Sequence, residues 1–409
     1  MKQLIWFIVI FSVIVSTTNA QCLNGRYSAK IFDQVNTYKG IKYQTAPLAN
    51  GAMLNQYLDV YEPRYDTLSV RPLIIFFHGG AFWTGTKDYQ SNQEMGKEFA
   101  QRGYVYSTVN YRLESSPLSL LNSDLMIKAV GRGIQDTKTA IKFFFESARN
   151  EGNPYKIDTN NIFLAGSSAG SFNVLHTIFL DEADTLPSDW SNNLNEIGGI
   201  FGDYNFIDFP SKIKGLVNIN GALGDVDFMN NQHFPFLSIH NTLDPEVPFN
   251  SGKPYNIPFL PTVDGSNILH QRANELGMYN PFYIIPTKDH TSFEMDFFGF
   301  VVQPYFDSTI WYMNNYFNYM LCGTPTAIQQ QTIKSVAVYP NPTSDMIYFD
   351  NIPYHALNII DMNGKQVYQQ NYYTSTLNTN QIHLANNHYL IVFYDDKFVA
   401  THLTNFIKQ

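Results

Sequence analysis

Ser168 stands in the run Gly166-Ser167-Ser168-Ala169-Gly170. An apolar stretch, Asn161-Ile162-Phe163-Leu164-Ala165, precedes it, and a helix-like stretch, Ser171-Phe172-Asn173-Val174-Leu175-His176, follows. Strand, sharp turn and helix is the setting in which the serine of Gly-x-Ser-x-Gly becomes a nucleophile. Small flanking residues let the strained turn close, so that the Ser168 hydroxyl is pushed out and the Ala169 N–H is aimed at the same point. A second run, His78-Gly79-Gly80-Ala81-Phe82, follows the apolar segment Val70 to Phe77. Its glycines let backbone N–H groups turn inward towards a developing oxyanion. Two amides among Gly79, Gly80 and Ala81, together with Ala169, are expected to supply that site; which two stays open.

A hydroxyl attacks only when a base takes its proton. The chain has ten histidines, and an elbow serine is followed in sequence by its acid and its histidine. His355, His383, His388 and His402 belong to a separate C-terminal region. His176 lies in the helix after the elbow, and His233 precedes a strand. His240 ends a strand and reads as a packed or hydrogen-bonded core residue. His270 falls in a helical pattern, Ser266 to Leu276, and reads as solvent-facing. His290 is left, in the polar loop Thr287-Lys288-Asp289-His290-Thr291 after the strand-like Pro281 to Ile285. The acid is expected in the loop Asn241 to Pro248, where Asp244 would orient the imidazole and stabilise its protonated form. Glu246, Asp225 and Asp227 compete for the role, and a loop aspartate beside Pro245 can equally be a turn former. This chemistry needs no metal and no organic cofactor.

The elements that must position these groups follow the apolar periodicity. Strand-like runs at Val70–Phe77, Tyr104–Asn110, Ile162–Ala165, Ile213–Asn220, Phe234–Asn241 and Pro281–Ile285 alternate with amphipathic segments such as Ala129–Asn150. Residues 21–322 therefore read as one α/β domain with a mostly parallel sheet covered on both faces. Leu180 to Phe209, with Trp190, Phe201, Tyr204 and Phe206, reads as a cap segment over the sheet's active edge. Its aromatics, with Phe82 and Trp83, can line a pocket or form the core of the cap. Residues 323–334 are a linker by composition, and 335–409 read as a small all-β sandwich, with a hairpin turn at Asn363-Gly364.

Residues 1–20 read as a signal peptide: Lys2, an apolar run Leu4 to Val15, then Thr18-Asn19-Ala20 as a cleavage site. The run is short for a membrane span, so no transmembrane anchor is expected in the mature chain. The net charge of −9 argues against a nucleic-acid partner. The two cysteines, Cys22 and Cys322, bracket the α/β domain. In an exported protein they are expected to pair, the alternative being two free thiols.

Taken together, His78-Gly79-Gly80-Ala81-Phe82, Val109-Asn110-Tyr111-Arg112-Leu113, Gly133-Ile134-Gln135-Asp136, the elbow and Asp244-x-x-Val247-Pro248 resemble the α/β-hydrolase carboxylesterases. The closest likeness is to secreted bacterial enzymes of the hormone-sensitive-lipase-like and feruloyl-esterase-like groups. The resemblance spans about residues 27–321. It implies a triad of Ser168, Asp244 and His290 and a scaffold role for Tyr111, Arg112 and Asp136. Ala81 departs from the lipase-like third glycine but still offers its amide. Val338-Tyr339-Pro340-Asn341-Pro342, Ile359 to Val367 and Leu384 to Tyr389 are similar to the sorting domain of type IX secretion substrates of Bacteroidetes-type bacteria, with His388 in place of a usual glycine. A carbohydrate-binding β-sandwich is the alternative for this tail. The resemblances imply a secreted or cell-surface serine esterase that meets the type IX machinery and acts on ester substrates, with acetyl or feruloyl esters of polysaccharides favoured over lipids or polyesters. A peptidase and a non-catalytic binding module on the same fold are the other readings. Ser171, where peptidases of this fold usually carry a glycine, speaks against the first, and the intact serine, acid and histidine set speaks against the second.

Overall fold

The computed structural model describes residues 22, 24–201, 213–230, 233–285, 288–290, 301, 305–323, 334–349, 354, 356–361, 366–370, 374–394 and 400–409. The expected signal segment, residues 202–209 of the cap with Tyr204 and Phe206, residues 324–333 of the linker, and the Asn363-Gly364 turn lie outside the described residues.

The N-terminal part runs β1 (Val35–Pro47), β2 (Met53–Pro63), β3 (Arg71–Phe77), α1 (Gln90–Gln101), β4 (Val105–Val109), α2 (Ser123–Asn150), β5 (Ile157–Ser167), α3 (Ala169–Phe179), α4 (Ser188–Glu196), β6 (Ile213–Ile219), β7 (Ala222–Leu223), β8 (Phe236–Asn241), β9 (Ser251–Gly252), β10 (Val263–Gly265), α5 (Ser266–Glu275), β11 (Phe282–Ile285) and α6 (Tyr305–Cys322). One eight-stranded sheet has the order β1-β2-β4-β3-β5-β6-β8-β11. β2 pairs antiparallel with both β1 and β4. From β4 across to β11 every pairing is parallel.

The parallel strands are buried on both faces, which is why their sequences are continuous apolar runs. All seven residues of β3 are buried. Leu73, Ile75 and Phe77 pack on one side with Ile134 and Phe144 of α2 and Leu175 of α3. Ile74 and Phe76 pack on the other with Phe99 of α1 and Phe317 of α6. Each such side chain contributes about 1.5–3 kcal/mol of hydrophobic stabilisation.

The parallel strands read from the sequence fall within a residue or two of those observed, except that β5 begins at Ile157 and α2 at Ser123. The β1–β2 pair, α1 and α6 carried no clear sequence signal. β1 is largely exposed and polar. α6 has aromatics on its exposed face as well as on its buried one. No helix among the described residues is long and apolar enough to cross a membrane.

Cys22 and Cys322 are bonded, with their Cα atoms 5.9 Å apart.

The C-terminal strands are β12 (Lys334–Ser335), β13 (Val338–Tyr339), β14 (Met346–Phe349), β15 (Ala356–Asp361), β16 (Gln366–Gln370), β17 (Thr376–Asn378), β18 (Asn387–Tyr394) and β19 (Ala400–Lys408). They form a five-stranded sheet, β12-β19-β18-β15-β16, and a three-stranded one, β13-β14-β17. Ile347 and Phe349 from the smaller sheet share a core with Ile359, Ile391, Phe393 and Phe406 from the larger.

Candidate active site

Four strands deliver the expected residues to one edge. Ser168 follows β5, the His78–Phe82 loop follows β3, Asp244 follows β8 and His290 follows β11. All four strands are parallel, so their carboxyl ends open on the same crevice, the place where open α/β sheets bind ligands.

Ser168 is the hinge between β5 and α3 and adopts φ 51°, ψ −119°, a strained combination for a non-glycine residue. Its N–H donates to Ile219 O at 2.8 Å, and its carbonyl accepts from Phe172 N–H at 3.1 Å. Gly170 lets α3 start this close to β3: a Cβ there would lie 2.0 Å from Phe77 O. Ser171 Oγ donates its one hydrogen to Gly166 O at 2.5 Å and accepts from Ile219 N–H at 2.9 Å, which clamps the far side of the turn.

His290 Nε2 lies 2.7 Å from Ser168 Oγ, and His290 Nδ1 lies 2.7 Å from Asp244 Oδ2. An Nδ1–H donating to the carboxylate leaves Nε2 free to accept from the hydroxyl. Asp244 Oδ1 accepts from the amides of Glu246 (2.8 Å) and Val247 (3.0 Å). Its Oδ2 also accepts from Asn220 Nδ2 at 2.6 Å, and a second imidazole, His240 Nε2, stands 3.4 Å away. Burial by itself would push the carboxyl up, but the bonds and charge of His240 and His290 outweigh it and hold Asp244 well below the usual carboxylate range.

Glu246, the strongest competitor, sits on the other side of the ring. Its Oε2 is 3.5 Å from His290 Nε2 and accepts from Tyr255 OH at 2.8 Å. It is therefore a neighbour of the imidazole, not the group behind it. Asp225 caps a short turn through Asp227 N–H; no contact joins either residue to His290 among the described residues.

His240 is fully buried, as expected of a core histidine, but its contact with Asp244 had no sequence signal. Its Nδ1 accepts from Ser266 Oγ at 2.6 Å. His270 corrects an expectation. It is half-buried, its ring 5.1 Å from that of Phe282, because α5 leans on the last strands of the sheet. His176 and His78 are buried, and burial pushes each down to about 4 against weaker opposing backbone bonds.

In the loop after β3, Gly80, Ala81 and Phe82 have φ of 124°, 53° and 60°. A Cβ on Gly80 would lie 2.0 Å from Thr84 O. Gly79 is pressed against the elbow: a Cβ there would lie 3.2 Å from Ser168 Cβ. Ala81 and Ala169 line a cavity with Ser168. The His78 ring stacks on Tyr111 at 4.6 Å, and Tyr111 OH donates to His78 O at 2.8 Å. Asp136 accepts from Arg112 N–H at 2.6 Å and from Gln44 Nε2 at 2.6 Å. These contacts brace the loop and the segment after β4, and none reaches Ser168.

The cavity holds about 80 Å³, and its lining is almost wholly apolar, with Phe82, Ile134, Phe172 and Trp190 among the walls. Trp83, read as a possible pocket residue, is 41% exposed and not among that lining. Phe201 instead lies against Lys138, whose Nζ is 3.5 Å from the ring centroid.

Residues 58–220 match the family model BD-FAE, and residues 337–403 match the Secretion system C-terminal sorting domain. Over these segments the chain is similar to BD-FAE, an α/β-hydrolase esterase family, and to the type IX secretion sorting domain. Juvenile hormone esterase of Tribolium castaneum is 32% identical over 136 residues, covering 32% of this chain and 21% of the relative. Neuroligin-like protein glit-1 of Caenorhabditis elegans is 28% identical over 120 residues, covering 29% of this chain and 15% of the relative. The chain thus spans about a fifth or less of the length of the curated relatives it matches. Among solved structures, Thermogutta terrifontis esterase 2 phosphonylated by cyclosarin is similar at 16% identity and a TM-score of 0.48, over 71% of this chain and 95% of that one. The sorting-domain match at residues 337–403 indicates export by the type IX route.

Proposed function

We propose that the chain is an exported serine carboxylesterase. The observation that carries this reading is the unbroken run Ser168 Oγ, His290 Nε2, His290 Nδ1, Asp244 Oδ2, with 2.7 Å at each of its two contacts, at the mouth of an apolar cavity. In the proposed reaction His290 takes the Ser168 proton as Oγ adds to the ester carbonyl carbon. The oxyanion is held by Ala169 N–H together with amides from Gly79, Gly80 and Ala81; Ala81 is favoured because it lines the same cavity as the serine. One such donor is worth about 3–4 kcal/mol of transition-state stabilisation. The imidazolium then protonates the departing alkoxide, leaving an acyl group on Oγ. Water, deprotonated by His290, attacks that acyl-enzyme and restores the serine.

The size of the cavity supports a small acyl group. Pockets for drug-sized ligands run to roughly 300–1,000 Å³, far above the space here, so acetyl esters fit better than feruloyl ones. Acetyl groups on exported polysaccharide substrates are the proposed natural target, and the type IX machinery is the proposed partner of residues 335–409. In the same reading residues 1–20 are a signal peptide, 21–322 the hydrolase domain and 323–334 the linker.

Wild type is expected to hydrolyse p-nitrophenyl acetate, release acetate from acetyl-xylan and take a fluorophosphonate label. Ser168→Ala should lose all three with its thermal midpoint retained. Full activity in that variant would overturn the assignment.

A further inference from the structure

Two hollows meet at one wall. Beside the cavity at Ser168 lies a larger one of about 480 Å³, whose walls include Asp189, Asp225 and the exposed Phe259. Trp190, Gly224, Leu260 and Pro261 line both and so form the wall between them. Trp190 is carried by α4 and seated by its neighbours. A Cβ on Gly224 would lie 2.1 Å from the indole Cη2, so the ring rests directly on that backbone, and its centroid lies 6.2 Å from that of Phe228. Gly224 is itself pinned: its N–H donates to His176 Nε2 at 2.9 Å, while His176 Nδ1–H donates to Phe172 O at 2.8 Å. Both ring nitrogens of this buried histidine are thereby committed to holding the wall.

We propose that Trp190 is the partition that ends the acyl cavity, restricting the enzyme to short acyl chains and sealing the cavity from the outer hollow. The inference rests on the esterase reading above. The chain in the cavity is the acyl chain for a geometric reason. The leaving oxygen must face His290 Nε2 to be protonated, and His290 is not among the residues lining either hollow. The alcohol therefore departs on the His290 side, and the acyl carbons point towards Trp190.

The test compares p-nitrophenyl acetate, butyrate, octanoate and laurate on wild type, Trp190→Phe, Trp190→Ala and Gly224→Ala. Each methylene admitted to an apolar pocket is worth about 10-fold or more in kcat/KM. Trp190→Ala should therefore raise the octanoate-to-acetate ratio of kcat/KM at least ~10-fold, and Trp190→Phe by less. Gly224→Ala puts a methyl where the indole now lies and so displaces it; it should raise the same ratio, and decides the matter if Trp190→Ala does not fold. An unchanged ratio in variants that still label with fluorophosphonate overturns the proposal. So does a response confined to a series of alkyl acetates of increasing alcohol length. Wild type that neither labels nor hydrolyses acetate would instead sink the esterase reading itself.

Discussion

Two carboxylates flank the His290 ring, and their surroundings separate their roles. Asp244 is shut away from water and saturated with donors: two amides, Asn220 and two imidazoles. Glu246 is 38% exposed at its side chain and held by one tyrosine. Asp244→Asn keeps the shape but removes the acceptor that sets the tautomer. It should cost ~10⁴-fold in kcat for p-nitrophenyl acetate. Glu246→Gln should cost less than about 10-fold, since its part-exposed carboxylate stands 3.5 Å from the ring and is screened by water. Steady-state kinetics of the two variants side by side checks both, and the reverse ranking would assign the acid to Glu246.

At the scale of elements, the loop after β3 and the start of α3 hold their places by strained backbone. Ala81 sits at φ 53°, a region that costs a residue with a Cβ about 1–2 kcal/mol. Ala81→Gly removes that penalty while leaving the amide in place, so it should raise the thermal midpoint with activity retained. Ala81→Val should lower both. The packing of α3 adds a pH signature. His176 and His78 titrate near 6.5 when unfolded but are held down to about 4 when folded. The unfolded chain therefore binds more protons between those values. The stability these two groups secure is complete above about pH 6.5, is lost as pH falls towards about 4, and does not fall further below that. Each is worth at most about 3 kcal/mol. Urea midpoints measured from pH 7 to pH 4 should fall more shallowly for His176→Gln than for wild type.

These elements were legible in the sequence to different degrees. The elbow and the Gly79-Gly80 loop could be read because local backbone geometry dictates their residue types. β3 to β8 could be read because double burial leaves a continuous apolar run. α6 could not, because aromatics such as Tyr305 and Trp311 stand on its exposed face too and mask the buried stripe of Phe306, Ile310, Met313 and Phe317. His270 was misplaced because α5 has weak amphipathicity and the cover over His270 comes from Phe282 of β11, later in the chain.

For the whole molecule, the Cys22–Cys322 bond closes a span of 300 residues, tying the start of the described chain to the end of α6. In the chain-entropy account such a closure is worth about 5 kcal/mol. Cys322→Ser, or reductant, should lower the thermal midpoint by several degrees, as calorimetry would register. The sorting domain has its own core. Removing residues 335–409 should leave the esterase inside the outer membrane instead of outside the cell, as cell fractionation would show.

By itself the sequence pointed to the candidate nucleophile, the order in which its proposed partners follow, the cysteine pair that brackets the α/β domain and the likeness of the tail, since each is written in a few adjacent residues or in composition. Only the tertiary structure set Asp244 Oδ2 against His290 Nδ1 with Glu246 on the other nitrogen, brought His240 onto Asp244, and set Trp190 between two hollows. The reason is separation: the contacts of His290 join residues 46 and 122 positions apart. Which side chains meet over such distances is fixed by strand order and register across the sheet, which no local pattern encodes.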